Sequence, residues 1–222
     1  MKPTQNRPTI TAFTNSPDRG RGLARDFRVR WAFEEIEMPY ETKLVTFAEM
    51  KQPDYVALQP FSQIPAFQED DLTIFESGAI ILHVAEHDPR LIPQDPKEKA
   101  KAITWMFASL NTVEPPIVER SFHTLFDKDK SYYEDRLKVL DERVHTRLNQ
   151  LSARLGNKEW LEDNFTAGDL LMVTVLRRLD GSSILTHHPK LEAYIARAEA
   201  RPAYQRAFAA QLKVFNDQQI KN

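Results

Sequence analysis

The chain contains no cysteine among its 222 residues. Disulfide bonds, thiolate metal sites and any reaction that uses a thiol of the protein itself are therefore excluded. A strong net charge is missing as well, since 30 basic residues stand against 32 acidic ones and the formal net charge is -2. No global electric field favours binding to nucleic acid or to an anionic membrane, so we expect neither partner.

Long apolar runs are also absent, because no stretch approaches the roughly 20 residues needed to span a bilayer. Residues 1–8 are polar and basic without an apolar centre, so we expect no secretory signal there. Both observations favour a cytoplasmic protein. A length of 222 residues is sufficient for two small domains that each have a core.

The first 88 residues predict an α/β unit, because short β-branched and aromatic runs alternate with helical patterns. The predicted order is strand 9–13, helix 23–37, strand 41–47, helix 48–58, a strand on each side of the acidic turn 69–71, and helix 79–86.

Three prolines between residues 88 and 96 mark a linker, which we place at 89–96 between domains 1–88 and 97–222. Beyond it only helical patterns occur, and Pro115-Pro116 should kink or break the first long helix. Thr166 is predicted as a helix N-cap with Asp169 at the third helical position, a capping box with Asp in place of Glu. The expected fold class is thus α/β plus all-α.

The segment 61–80 predicts a surface that binds a peptide. Pro65 cannot donate to a sheet ladder, so we expect either the first residue of an edge strand or a cis turn, with the backbone of Ile64 left for a ligand. Glu76 and Ser77 stand where the next helix begins, and a helix start can hold a carboxylate. An acid and a hydroxyl are therefore expected at the start of that helix.

Four segments carry a resemblance to a known family: 27–41, 63–65, 76–80 and 160–169. They resemble, in this order, the first helix with its exit into the second strand, the cis-proline turn, the acid-serine motif and the buried N-capping box of the cytosolic glutathione S-transferases. The resemblance covers essentially the whole chain and points to bacterial-type members with a serine/threonine-like N-terminal site.

This resemblance implies a thioredoxin-like N-terminal domain, an all-helical C-terminal domain and a homodimer. It also implies glutathione as co-substrate, bound by Gln63, Ile64 and Pro65 and by Glu76 and Ser77. The backbone of Ile64 would pair with the cysteinyl part, and the other two would hold the γ-glutamyl amine and carboxylate. Charge and hydrogen-bonding capacity agree with these roles.

A transferase must stabilise the thiolate of glutathione, because a free thiol with a pKa of about 8.5 is mostly protonated at neutral pH. The candidates after the first strand are Thr14, Asn15 and Ser16. Ser16, which precedes a proline, is the preferred donor. If the first helix begins only near residue 23, after the long approach 18–26, Ser16 does not stand at its N-terminus, and Asn15 or a loop N–H is the alternative donor.

Trp105, Asn111 and Arg120 are candidates for an electrophile pocket, although helical spacing predicts core packing equally well for the tryptophan. His187-His188 has no acid at metal-ligand spacing, so we predict a loop there and no metal site. The predicted function is a glutathione-dependent transferase acting on a small electrophile or a disulfide. The alternative is a non-catalytic binding or regulatory protein on the same fold.

Overall fold

The computed structural model describes residues 7–220. Residues 1–6, most of the segment in which we expected no secretory signal, lie outside the described residues, as do 221–222. The described chain divides into two compact units, one made of 7–91 with 202–220 and the other of Ile92–Arg201. Among the described residues no helix is long and apolar enough to cross a bilayer.

Within the described residues the first unit contains a sheet, four α-helices and a 3₁₀ turn, and its last helix comes from the end of the chain; the second unit is helical. In chain order the elements are β1 (Thr9–Phe13), α1 (Asp26–Glu35), β2 (Glu41–Val45), a 3₁₀ turn (Glu49–Lys51), α2 (Pro53–Val56), β3 (Ala66–Glu69), β4 (Leu72–Phe75), α3 (Ser77–Ala85), α4 (Pro96–Ala108), a π-helical turn (Ser109–Val113), α5 (Glu114–Phe126), α6 (Tyr133–Leu155), α7 (Ala167–Leu176), two 3₁₀ turns (Arg177–Leu179 and Leu185–His187), α8 (Pro189–Glu199) and α9 (Pro202–Ile220).

The sheet of the first unit has the strand order β2-β1-β3-β4. Strand β1 is parallel to β2 and antiparallel to β3, and β3 is antiparallel to β4. This mixed sheet, with helices following β1 and β4, confirms the predicted thioredoxin-like architecture.

Pro65 forms a cis peptide bond with Ile64 directly before β3. Of the two alternatives that the sequence left open, the cis turn is therefore correct. The edge strand is not, because β3 has a neighbour on each side and β4 lies at the edge.

The helix predicted over 48–58 is two short pieces in the structure, a 3₁₀ turn and α2. Pro53 explains the break, since it has no N–H with which to continue the first piece and is favourable at the first position of a new helix.

The last helix packs on the first one. The Tyr204 ring meets the rings of Phe27 and Trp31 edge-on, with centroids 5.3 and 5.0 Å apart. Helix α9 therefore belongs to the first compact unit, whereas the sequence grouped it with 97–222. Apolar spacing identifies a helix but does not say which helix it packs against.

In the second unit a π-helical turn precedes Pro115-Pro116, where the sequence predicted a kink or a break. A proline lacks the N–H for the helical ladder and its ring crowds the carbonyl one turn earlier. The wider π turn accommodates the missing N–H and the bulk of the proline ring. Helices α4 and α5 are therefore joined by this turn alone, with no loop between them.

A chain of hydroxyl hydrogen bonds ties both sides of the Ile64-Pro65 pair to β1. Thr11 Oγ1 accepts from the Ala66 N–H at 2.8 Å, and the Tyr55 hydroxyl donates to the Gln63 carbonyl at 2.7 Å. The two hydroxyl oxygens are 2.9 Å apart. Because the tyrosine proton is used on Gln63, Thr11 donates to Tyr55. Burial raises the pKa of Tyr55, and the bond from Thr11 acts against that shift.

The predicted capping box is confirmed at the start of α7. The Asp169 carboxylate is fully buried and accepts from the N–H groups of Leu161 and Thr166 and from the hydroxyls of Thr166 and Tyr194. Burial raises the pKa of this carboxyl, and its donors act in the opposite direction. One side chain thus satisfies two buried backbone donors in the second unit.

We expect Asp169→Ala to lower the free energy of unfolding by about 3 kcal/mol, because two buried N–H groups and two buried hydroxyls lose their acceptor. Urea denaturation measures the change. The matched control is Asp163→Ala, an acid 86% exposed, which should shift stability by less than about 0.5 kcal/mol. Equal losses in the two variants would contradict the assigned role of Asp169.

Tyr55→Phe and Thr11→Val should each destabilise the protein by about 1–2 kcal/mol, since each leaves a buried partner unpaired. Because the two hydroxyls form one chain, a double-mutant cycle should show coupling of at least about 0.5 kcal/mol. Tyr132→Phe, at a residue that is 49% exposed, serves as the control. Additive losses would mean that the two hydroxyls act separately.

Candidate functional site

Ile64 presents unpaired backbone at the end of the sheet. Its side chain is buried in a cluster with Val45, Met50 and Tyr55, and residues on both sides are fixed by the hydroxyl chain. Within residues 7–220 neither its N–H nor its C=O has a hydrogen-bond partner. Backbone groups normally pair, so this donor and acceptor are available to a ligand with a peptide-like edge.

Glu76 and Ser77 form a second polar group at the start of α3. Glu76 has φ 69° and ψ 116°, a conformation that costs a non-glycine residue about 1–3 kcal/mol and is concentrated at functional sites. It is exposed, while Ser77 is buried. In the part of the chain that the structure describes, no side chain caps α3, so the first N–H groups of this helix are open. A carboxylate acceptor therefore lies beside a hydroxyl and backbone donors.

The sheet register brings these two polar groups together. Ala66 pairs with Phe75, so the residues just before β3 and just after β4 meet at the same end of the antiparallel pair. Ile64 and Pro65 thus lie at the same end as Glu76 and Ser77. Gln63 is exposed beside them, with its N–H held by Gln59 Oε1 at 3.2 Å.

The loop after β1 lies at this end of the sheet too, because Ile10 pairs with Phe67 and the strands are antiparallel. Ser16 is buried, and its hydroxyl donates to Asp18 Oδ1 at 2.5 Å. Asn15 is exposed, and its Oδ1 accepts a long 3.4 Å bond from Gln219. The Thr14 N–H donates to the Val45 carbonyl, so this residue continues the sheet pairing.

Asp18 organises the long approach to α1, a role that sequence reasoning missed. Its carboxylate accepts from the Ser16 hydroxyl and from the N–H groups of Gly20, Leu23 and Ala24 at 3.0, 2.6 and 2.9 Å. These bonds explain why α1 begins at Asp26 rather than near residue 23. The available signal was Pro17-Asp18, since Asp in a turn often accepts from N–H groups further along the chain.

Gln211 of α9 is the second missed residue, and it holds the same loop from the side. Its Oε1 accepts from the Gly22 N–H at 2.9 Å and its Nε2 donates to Asp26 at 3.0 Å. A Cβ built on Gly20, whose φ is +72°, would come within 3.0 Å of the Leu212 backbone. The loop is therefore clamped by α9, and no local sequence signal pointed to this contact.

The structure places the three predicted electrophile-pocket residues in different surroundings in the second unit. Trp105 Nε1 donates to Glu162 at 2.9 Å, and Arg120 pairs with Asp141. Asn111 is exposed on the π-helical turn. It lines a surface depression that neither Trp105 nor Arg120 lines.

Comparisons with known proteins show which proteins this chain resembles. A family model described as glutathione S-transferase, N-terminal domain, matches residues 19–86. Glutathione S-transferase PARB of Nicotiana tabacum is 31% identical over 189 residues, which cover 80% of this chain and 89% of the relative. A glutathione S-transferase of Hyoscyamus muticus is 28% identical over 192 residues, or 81% and 91% of the two chains.

Among solved structures, a glutathione transferase from Burkholderia graminis matches with a TM-score of 0.77 and 25% identity, covering 91% of this chain and 87% of that one. It was crystallised with two glutathione molecules per subunit. The identity to the tobacco enzyme is sustained over most of both chains, and we conclude that this chain belongs to the glutathione S-transferase family.

Proposed function

We propose that the protein binds glutathione in its first unit and uses the glutathione thiolate as a nucleophile toward a small electrophile or a disulfide. The observation that carries this proposal is the set of unpaired groups at one end of β3 and β4: the Ile64 backbone, the Glu76 carboxylate and the open start of α3. The glutathione-bound neighbour from Burkholderia graminis supports the choice of ligand.

Each part of glutathione has a complementary partner in this set. The cysteinyl N–H and C=O match the C=O and N–H of Ile64, with Gln63 and Pro65 on either side. The γ-glutamyl ammonium matches the Glu76 carboxylate, and the γ-glutamyl carboxylate matches the Ser77 hydroxyl and the free N–H groups of α3. The helix dipole favours the anion at that position.

Ser16 is our proposed thiolate donor, in keeping with a serine/threonine-like site. Three backbone N–H groups keep the Asp18 carboxylate hydrogen-bonded without it. The Ser16 hydroxyl can therefore turn to the thiolate at the cost of one hydrogen bond to a charged group, about 1.5–3 kcal/mol, which the new bond to sulfur offsets. Asn15, exposed in the same loop, is the competing donor, and the start of α1 at Asp26 supports it because Ser16 does not stand at the N-terminus of that helix.

The engagement of Ser16 by Asp18 also favours a second candidate function, a non-catalytic glutathione-binding protein. In that case the Ser16 hydroxyl would continue to donate to the Asp18 carboxylate. The negative charge of this carboxylate would disfavour a thiolate nearby. Under either candidate we propose a cytoplasmic homodimer. Asn111 is the proposed electrophile-pocket residue that is open to a ligand, since Trp105 and Arg120 are engaged by Glu162 and Asp141.

Calorimetric titration with glutathione should show saturable binding. Glu76→Ala should weaken it at least tenfold, because the ammonium group loses its charged partner, and a loss of about 1.4 kcal/mol corresponds to tenfold. Ser77→Ala should weaken it less. Glu142→Ala, an exposed acid on α6, is the matched control and should leave affinity unchanged. No binding at millimolar glutathione would overturn both candidate functions.

The thiol pKa of bound glutathione separates the two candidates and the two donors. In the parent protein, ultraviolet absorbance of the thiolate measured against pH should give a thiol pKa below that of free glutathione. Ser16→Ala should raise this pKa. The same variant should lower turnover about 10- to 100-fold, which corresponds to the loss of one charge-assisted hydrogen bond. Asn15→Ala is the paired variant. If it alone raises the pKa, Asn15 is the donor; an unshifted pKa in the parent favours the non-catalytic candidate.

A further inference from the structure

Three potential metal ligands meet in the first unit, away from the loop and turn that form the candidate glutathione site. Glu69 is the last residue of β3, His83 lies in α3, and His87 follows the end of that helix. One ligand atom from each lies within 4.8 Å of the others. His83 Nε2 is 3.2 Å from Glu69 Oε2, and the two imidazole rings have centroids 5.3 Å apart.

The donor set matches the chemistry of a transition-metal ion. Two imidazoles and one carboxylate are ligands that zinc takes, usually in a tetrahedral arrangement with bonds of about 2.0–2.2 Å. Such bonds place neighbouring ligand atoms roughly 3.3 Å apart. The His83–Glu69 separation of 3.2 Å already has this value, and side-chain rotations that shorten the distances to His87 by at most about 1.5 Å would complete the geometry and leave a fourth position for water.

Packing orients two of the three ligands. Phe67 and Glu69 are two residues apart on β3, so their side chains project on the same side of the sheet. The Phe67 ring packs edge-on against His83 with centroids 5.3 Å apart. The side chains of His83 and Glu69 are 29% and 23% exposed, and His87 is exposed. The cluster is therefore held on one side and open to an ion on the other.

The local charge also favours a cation. Glu69 is followed by Asp70 and Asp71 in the turn to β4, and His83 and His87 lie at the C-terminal end of α3, where the helix dipole is negative. We propose that Glu69, His83 and His87 bind one zinc ion, which would link the β3–β4 turn to the end of α3.

This site is independent of the proposed glutathione site. Glu69 pairs with Leu72 at the turn of the hairpin, whereas Ala66 pairs with Phe75 at the opposite end. Zinc and glutathione would therefore occupy opposite ends of β3 and of α3.

The test is calorimetric titration of the full chain, freed of metal by a chelator, with zinc chloride. We expect one zinc per chain, with affinity reduced at least tenfold in His87→Asn and in Glu69→Gln. Magnesium should not bind at this site, because it prefers oxygen ligands. Zinc should raise the Tm of the parent and not that of His87→Asn, since binding to the folded state alone stabilises it.

A second histidine cluster supplies matched controls. In the second unit His145 Nδ1 lies 2.9 Å from His188 Nε2, and the His187 ring is 5.5 Å from that of His145. His145→Asn and His187→Asn should keep zinc affinity within about twofold of the parent, a difference well under 1.4 kcal/mol. Loss of zinc binding in His145→Asn or His187→Asn would overturn the proposal. So would the absence of saturable zinc binding in the parent, or unchanged zinc binding in His87→Asn and Glu69→Gln. His87 follows the helix and is exposed, so its variant remains informative if Glu69→Gln fails to fold.

Discussion

The candidate glutathione site depends on the hydrogen-bond chain that runs from the Ala66 N–H through Thr11 and Tyr55 to the Gln63 carbonyl. Backbone that pairs with a ligand cannot also pair within the fold, so something else has to hold it in place. Here buried hydroxyls fix both neighbours of Ile64-Pro65, and the N–H and C=O of Ile64 have no partner among residues 7–220. The backbone of Ile64 that is open to a ligand is therefore held in position by side chains in the core.

The loop after β1 follows the same physical rule with different partners. Its N–H groups are satisfied by the Asp18 carboxylate and the Gln211 amide rather than by a ladder. Three backbone N–H groups of the loop donate to the Asp18 carboxylate, and the fourth donor is the Ser16 hydroxyl. Of these four bonds, only the one from Ser16 does not satisfy a backbone group of the loop. Under the proposed function, Ser16 would therefore change partners without leaving any N–H group of the loop unpaired.

Local signals predicted much of the fold and part of the site. The capping box at Thr166, the cis turn at Pro65 and the acid-serine pair at Glu76 each depend on residue types within a few positions. The clamp on the loop could not be predicted in this way, since Gln211 and Gly22 are 189 residues apart. The Glu69 and histidine cluster likewise depends on strand register and on where α3 ends. Pro53 was a local signal that we overlooked.

Helix α3 links the two proposed sites through its own polarity. Its N-terminus at Ser77 carries unpaired N–H groups and a partial positive charge, which suits the carboxylate of the γ-glutamyl group. Its other end carries a partial negative charge, which suits a cation between His83 and His87. Each ligand would therefore stabilise the same helix, from opposite ends and without competing for a contact. Because nine residues of helix span about 13 Å, the zinc and the γ-glutamyl carboxylate would interact mainly through their shared effect on α3.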